Sequence, residues 1–160
     1  MKLDVLALLA ALVSHDSLGA SATALASELA NRLGCERVSI GFVEDRFTRV
    51  VAISHGAIST NTSEMLRVIG AAMDESIEQA ATVVAPAPDD HVPRIVLAHE
   101  ELLRHDGGMA ITIPLVVAHQ LVGAVLCQFR HVGPVVPAQL AEWEHAFALL
   151  GPVLHLMRRS

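Results

Sequence analysis

The sequence predicts an α/β layered fold, with a central antiparallel sheet covered by helices. Three observations predict it. Gly107 to Arg130 reads as two apolar strands joined by a tight turn. Arg37 to Val43 and Thr48 to His55 form a second strand pair across the short polar link Glu44-Asp45-Arg46. Helical periodicity precedes, separates and follows these hairpins. Tight hairpins with helices inserted between them give an antiparallel sheet in a layered domain.

The totals agree with one packed domain. The chain has 160 residues, is 52% hydrophobic and has a mean hydropathy of +0.49, enough to bury a sizeable core. We expect a single domain, residues 1–160, with a terminal helix at 2–15, a core at 21–130 and a second terminal helix at 137–158. A net charge of −6 and 3% aromatic residues, with no Tyr, argue against a basic nucleic-acid face or a base-stacking platform.

Lys2 to His15 reads as a helix with two apolar stripes, Leu3, Leu6, Ala10 and Val13 beside Val5, Leu9 and Leu12. An ordinary surface helix has one. Met1-Lys2 and the apolar run also resemble a secretory leader, with Leu18-Gly19-Ala20 as a cleavage-like site, but Asp4 interrupts the run. The stretch is too short to span a membrane, which takes about 20 apolar residues. Ser21 to Leu33 is the next helix, with Ser21 as its N-cap and Gly34 as its stop. In the strand that follows, Val38, Ile40 and Phe42 share one face, and Ser39, Gly41 and Val43 the other.

Gly56 to Thr60 is a loop, and Asn61 with Glu64 forms a capping box opening a long helix. Met65, Ile69, Ala72, Met73, Ile77 and Ala80 are its inward stripe. Thr82 to Val84 is a short strand, and Ala85 to Pro93 a Pro-rich loop. Arg94 to His105 reads as a helix with Ile95, Ala98 and Leu102 inward. In the central hairpin both alternating phases are apolar, which places it mid-sheet with cover on both sides. Pro114 marks a bulge or an unpaired position, and Gly123 a close approach of another backbone or a ligand.

The last helix opens at Pro137. Leu140, Trp143, Phe147, Leu150, Leu154 and Met157 make a heptad seam. Ala146, Leu149, Val153 and Leu156 make a second. One seam packs on the sheet, and the other calls for a partner helix. Gly151-Pro152 predicts a kink.

Leu29 to Phe42 (LANRLGCERVSIGF), Gly107 to Leu115 (GGMAITIPL) and Leu121 to Leu126 (LVGAVL), in this order and spacing, resemble a GAF domain over about Ser21 to Met157. More narrowly, Ala30 to Gly41, Ile53-Ser54-His55 and Ala72-Met73-Asp74-Glu75 resemble the GAF-like segments that precede bacterial membrane-fusion proteins of the efflux-adaptor or secretion type. There the segment precedes a transmembrane helix, so this chain reads as an excised part of a larger membrane-associated transport or signalling protein, or as a free-standing relative. The resemblance implies terminal helices on one sheet face, through which such domains dimerise. It implies a small-molecule pocket on the other face, under the Met65 helix, the Pro-rich loop and the Arg94 helix.

Candidates for that pocket are Ser39, Gly41, His55, Met73, Arg94 and His99. His55 ends a strand and reads either as pocket lining or as a loop cap. His99 reads as pocket lining or as an exposed helix residue, and Arg94 as an anion contact or a solvated helix start. Candidates for the dimer interface are Leu6, Leu9, Trp143, Phe147, Leu150 and Leu154.

Nine histidines occur without H-E-x-x-H, H-x-x-E-H or CxxC spacing, so no metal is expected. Cys35 and Cys127 fall at apolar strand positions and read as buried reduced thiols of a cytoplasmic protein, able to pair only if their strands do. No nucleophile–base pattern appears. Reductases of the family use cysteines in pocket loops, and the bilin-attachment Cys-His pair and the N-K-F-D-E signature of cyclic-nucleotide-binding relatives are absent. The expectation is a non-catalytic, cytoplasmic regulatory domain without cofactor, binding an unidentified small molecule and signalling as a homodimer, with no nucleic-acid partner and no membrane insertion. The alternative is a ligand-free dimerisation module.

Overall fold

In a computed structural model, which describes residues 3–54 and 62–159, five antiparallel strands form one sheet in the order β2-β1-β5-β4-β3. The strands are β1 (Arg37–Glu44), β2 (Phe47–Ile53), β3 (Val83–Ala85), β4 (Met109–Val117) and β5 (Gln120–Phe129). The central hairpin β4–β5 lies inside the sheet, with β1 beside β5 and β3 beside β4. Its two phases face two separate cores, which is why neither is polar. One core, holding Val38, Ile40, Phe42, Ile111 and Val125, lies under α1 (Val5–Val13), α2 (Leu18–Leu33) and α5 (Pro137–Arg159). The other, holding Ala110, Ala124 and Leu126, lies under α3 (Thr62–Gln79) and α4 (Leu97–Asp106).

The strand hairpins fold as expected, with two refinements. The β4–β5 turn is Ala118-His119, both left-handed at φ 50 and 65, the two-residue geometry that matches strand twist. Pro114 pairs with Ala124, and the register slips one step later, between Leu115 and Val116. Pro114 lies beyond the reach of β3, which pairs only with Ala110 to Thr112, so its missing N–H breaks no ladder there. Gly123 answers to a close backbone approach. A Cβ on it would stand 2.2 Å from the Gly41 carbonyl oxygen on β1.

The helix starts differ from expectation. α1 begins at Val5 rather than Lys2. Asp4, which looked like an interruption, is its N-cap and accepts from the Ala7 N–H at 3.2 Å. The cap of α2 lies four residues before the expected one: Ser17 accepts from the Ala20 N–H at 3.2 Å. Ser21 is buried one turn inside and donates to the His15 carbonyl at 3.2 Å. Gly34, at φ 71, ends α2 as expected. α4 begins at Leu97, so Arg94 and Ile95 precede it, and Ile95 is exposed. α3 stops at Gln79, and Ala80 turns left-handed at φ 52 instead of extending the inward stripe. The Asn61 cap and the 56–60 loop lie outside the described residues.

α5 runs from Pro137 to Arg159 through Pro152. Its first seam is spent on the chain itself. Leu140, Trp143, Phe147, Leu150 and Leu154 are buried in the terminal-helix core, and Trp143 stacks on Phe129 at 6.2 Å between ring centroids. Near its end, the Arg158 Nη2 donates to the Val43 carbonyl at 2.6 Å, and its guanidinium lies 5.2 Å from the Phe42 ring centroid. No helix among the described residues is long and apolar enough to cross a membrane.

Candidate functional site

The face under α3 and α4 is where the pocket was expected, and its sheet surface is made of small residues. Gly41 pairs with Ala124 across β1–β5, Ser39 with Leu126, and Thr112 with Leu126 across β4–β5. Small side chains let α3 ride close to the sheet. A Cβ on Gly41 would lie 2.7 Å from the Met73 sulfur and 2.7 Å from the Thr48 Cγ2, and one on Gly70 would lie 3.2 Å from the Thr48 carbonyl. Met73 therefore fills the volume Gly41 leaves, rather than lining an open cavity. The Ser39 and Thr48 hydroxyls are buried beside it with no hydrogen-bond partner among the described residues.

Further along α3 the face turns polar. His99, on α4, is fully buried rather than exposed. Its Nδ1 lies 2.7 Å from Glu75 Oε1 and its Nε2 lies 2.7 Å from Thr112 Oγ1. Burial holds the His99 pKa below its ordinary value, against the opposing pull of the Glu75 hydrogen bond and charge. A neutral imidazole fits both contacts, with Nδ1–H donating to the carboxylate and Nε2 accepting from the threonine hydroxyl. Glu75 also accepts from the Ala98 and His99 backbone N–H groups, at 2.8 and 3.1 Å. It thereby caps α4, whose own N-cap residue, Val96, offers no side-chain bond. Gln79 holds the preceding residue from both sides, donating to the Ile95 carbonyl and accepting from its N–H, each at 2.8 Å. The chain of carboxylate, imidazole and hydroxyl has the order of a nucleophile relay. Thr112 is fully buried, however, so its hydroxyl meets no substrate.

The other end of this face carries a second polar cluster. Arg37 on β1 donates to Asp106 at 2.6 Å and to Gln128 at 3.0 Å, and Gln128 donates to Asp106 at 2.8 Å. On the outside, Arg67 bridges Glu64 and Glu101 at 2.7 and 2.6 Å, and its guanidinium lowers the Glu64 pKa. Glu64, Glu101 and His105 form the one group of three metal-type donors found among the described residues. Arg67 already pairs with both of its carboxylates and competes with a cation for them.

The other expected pocket residues divide as follows. Arg94 is exposed and lies before α4, whereas Met73 and His99 are buried. His55 lies outside the described residues. An open hollow of about 440 Å³ runs between the Pro-rich loop and α4, lined by Pro86, Ala87, Val96, Glu100, Leu103 and Arg104. None of the named candidates borders it. Glu75, Gln79, Thr112 and Arg37 were not read as site residues. The signal available was weak: Glu75 and Ser76 fall beside the apolar Met73 in the inward arc of α3.

The interface candidates need correction. Trp143, Phe147, Leu150 and Leu154 are buried in the chain's own core and offer no surface to a partner. Leu6 is 78% exposed, and the second α5 seam supplies Leu149 at 61% and Leu156 at 69%. Leu9 is half-buried between these extremes. A groove of about 630 Å³ lies between the start of α1 and α5, bordered by Leu3, Val5, Ala141, His145, Ala146 and Leu149.

No family model and no curated protein matches the chain. Solved structures do. The GAF domain of an Acinetobacter phosphoenolpyruvate-protein phosphotransferase superposes with a TM-score of 0.70 at 12% identity, over 97% of this chain and 92% of that one. The phycocyanobilin-bound GAF domain of a cyanobacterial phytochrome gives 0.64 at 17%, over 98% of each. The free methionine-R-sulfoxide reductase of Neisseria meningitidis, in complex with its substrate, gives 0.67 at 13%, over 97% and 88%. The chain therefore has the GAF fold, as the sequence pattern implied. The narrower likeness to segments of membrane-fusion proteins gains no support from these neighbours. Since the same fold serves phosphotransferase, phytochrome and reductase alike, fold alone does not decide between regulation and catalysis.

Proposed function

We propose that this chain is a sensory or regulatory domain that works as a homodimer through the outer faces of α1 and α5, with its small-molecule site on the α3–α4 face. The observation that carries the reading is the apolar surface on the two terminal helices. Leu6 on α1 and Leu149 and Leu156 on α5 are mostly exposed, and Leu149 borders the groove between these helices. Such side chains on neighbouring helices favour a partner helix surface over water. The likeness to GAF domains of a phosphotransferase and a phytochrome supports the same class. A small molecule shifts such a pair only by binding one arrangement of it more tightly than another.

A second reading is a dimerisation module without ligand, favoured by one observation: Met73 occupies the space over Gly41. Light scattering on the intact chain separates the parts. The wild type should be dimeric, and Leu149→Asp combined with Leu6→Asp should be monomeric with an unchanged far-UV spectrum. A monomeric wild type at high concentration sinks the pairing. A metabolite panel read by thermal shift tests the ligand, and no stabilising compound leaves the module reading.

A further inference from the structure

The two cysteines, expected to be separate buried thiols on strands, meet. Cys127 lies on β5 and is fully buried under α2 and α5. Cys35 is not on a strand. It follows Gly34, the left-handed residue that stops α2, and its N–H closes on the Ala30 carbonyl at 2.9 Å. The next residue, Glu36, donates its N–H to the Gln128 carbonyl at 2.8 Å, and β1 then pairs with β5 as Arg37 with Gln128 and Val38 with Cys127. The end of α2 is thus sewn to β5 at the level of Cys127. Cys35 packs against the apolar cluster that contains Cys127, and of the two free thiols Cys35 is the half-buried one.

We propose that Cys35 and Cys127 are a dithiol–disulfide couple that small disulfides oxidise by thiol exchange, fixing the end of α2 to the central sheet. Cys35 is the entry point because it is half-buried, whereas Cys127 is fully buried. It gives its proton to solvent and attacks one sulfur of a small disulfide such as oxidised glutathione. The S–S bond of the reagent breaks, one reduced glutathione leaves, and Cys35 carries the other in a mixed disulfide. Cys127, losing its proton, then attacks the Cys35 sulfur and expels the second glutathione as a thiol. Two protein thiols lose two electrons and two protons, and one small disulfide becomes two thiols, so the exchange balances. The neighbouring Cys127 thiol, with burial, keeps the Cys35 thiol protonated at neutral pH. The thiolate is the attacking form, so exchange is slow at pH 7 and quickens about tenfold per pH unit. The bridge closes a loop of about 90 residues, and a loop of that size predicts a Tm rise on the order of 10 °C.

The test incubates the full chain with oxidised glutathione at alkaline pH, quenches with acid, alkylates under denaturing conditions and measures intact mass. The expected product is a monomeric chain lighter by about 2 Da with neither cysteine alkylated. It should melt higher, and dithiothreitol should return it to the starting mass and Tm. Cys127→Ala should stop at the mixed disulfide on Cys35, and Cys35→Ala should take up no glutathione. A wild-type chain that ends with both cysteines alkylated, or linked only to a second chain, overturns the proposal. This readout needs no variant, so it stands even where a substitution prevents folding.

Discussion

Replacing Glu75 by Ala is the sharpest test of the network under α4. The carboxylate accepts three donors: the Ala98 N–H at 2.8 Å, the His99 N–H at 3.1 Å and the His99 Nδ1 at 2.7 Å. Losing the cap on α4 costs about 1 kcal/mol. Leaving the buried imidazole N–H without an acceptor costs about 1–3 kcal/mol more. The two backbone donors share the cap cost, because water reaches the vacated space beside half-buried Ala98. The total is about 3 kcal/mol, or roughly 6–12 °C in Tm for a chain of this size. The assay is urea and thermal unfolding at pH 7.5. Glu78→Ala, at an exposed site on the same helix, serves as the control and should stay within about 0.5 kcal/mol. Thr112→Val removes the hydroxyl from His99 Nε2 and should cost about 1–2 kcal/mol. The double variant should lose less than the sum, because both losses act through one imidazole. A Glu75→Ala chain that unfolds with the Glu78→Ala chain refutes the reasoning.

Acid should expose the buried His99. Its folded pKa lies below its unfolded value of about 6.5, so the unfolded chain takes up a proton first. Its contribution is complete above about pH 6.5 and declines below it by up to about 1.4 kcal/mol per pH unit until the folded pKa is reached. Urea midpoints between pH 7.5 and 5 should show the decline in the wild type and a flatter profile in His99→Gln. Gly123→Ala forces a Cβ against the Gly41 carbonyl oxygen at 2.2 Å. It should cost about 3 kcal/mol, and an unchanged Tm would contradict that approach of β1 to β5. Replacing Ala118-His119 by Asn-Gly suits a turn with φ 50 and 65, and should stabilise by about 1 kcal/mol in the same melts. Phe147→Asp places charge in the core and should unfold the chain, as circular dichroism would show, whereas Leu149→Asp should leave the fold intact.

What was legible in the sequence was whatever leaves a period or a punctuation mark. The β4–β5 hairpin declared itself because both of its phases are apolar, and Gly123 and Gly34 because only glycine suits those places. Asp4 and Ser21 were misread for a shared reason. A cap is a local hydrogen bond, and several polar residues near a helix start compete for it, so the apolar pattern does not choose among them. The α5 seams were correctly seen as two. Their assignment was not, since a heptad seam facing a sheet has the same spacing as one facing a partner helix. The Glu75–His99–Thr112 chain was beyond reach. Its members are 24 and 13 residues apart, and only the crossing of α3, α4 and β4 brings them together.

The two faces of the sheet are held by different forces, and this decides which of them opens more easily. The terminal-helix face is filled by large apolar side chains, among them Leu8, Leu25, Leu29, Phe42 and Phe147. Displacing α5 would uncover Phe147, Leu150 and Leu154 together, at roughly 1.5–3 kcal/mol for each side chain. α4 is held otherwise. Its start hangs on Glu75 and Gln79 of α3, and its buried positions are His99 and Leu102. Polar contacts can be exchanged for contacts with water or with a ligand at small net cost, while buried apolar area cannot. Opening at α4 is therefore the cheaper motion, and local openings of low cost are where ligands act on a fold. The α3–α4 face is therefore the side that opens at lower cost, and the terminal-helix layer is the more rigid one.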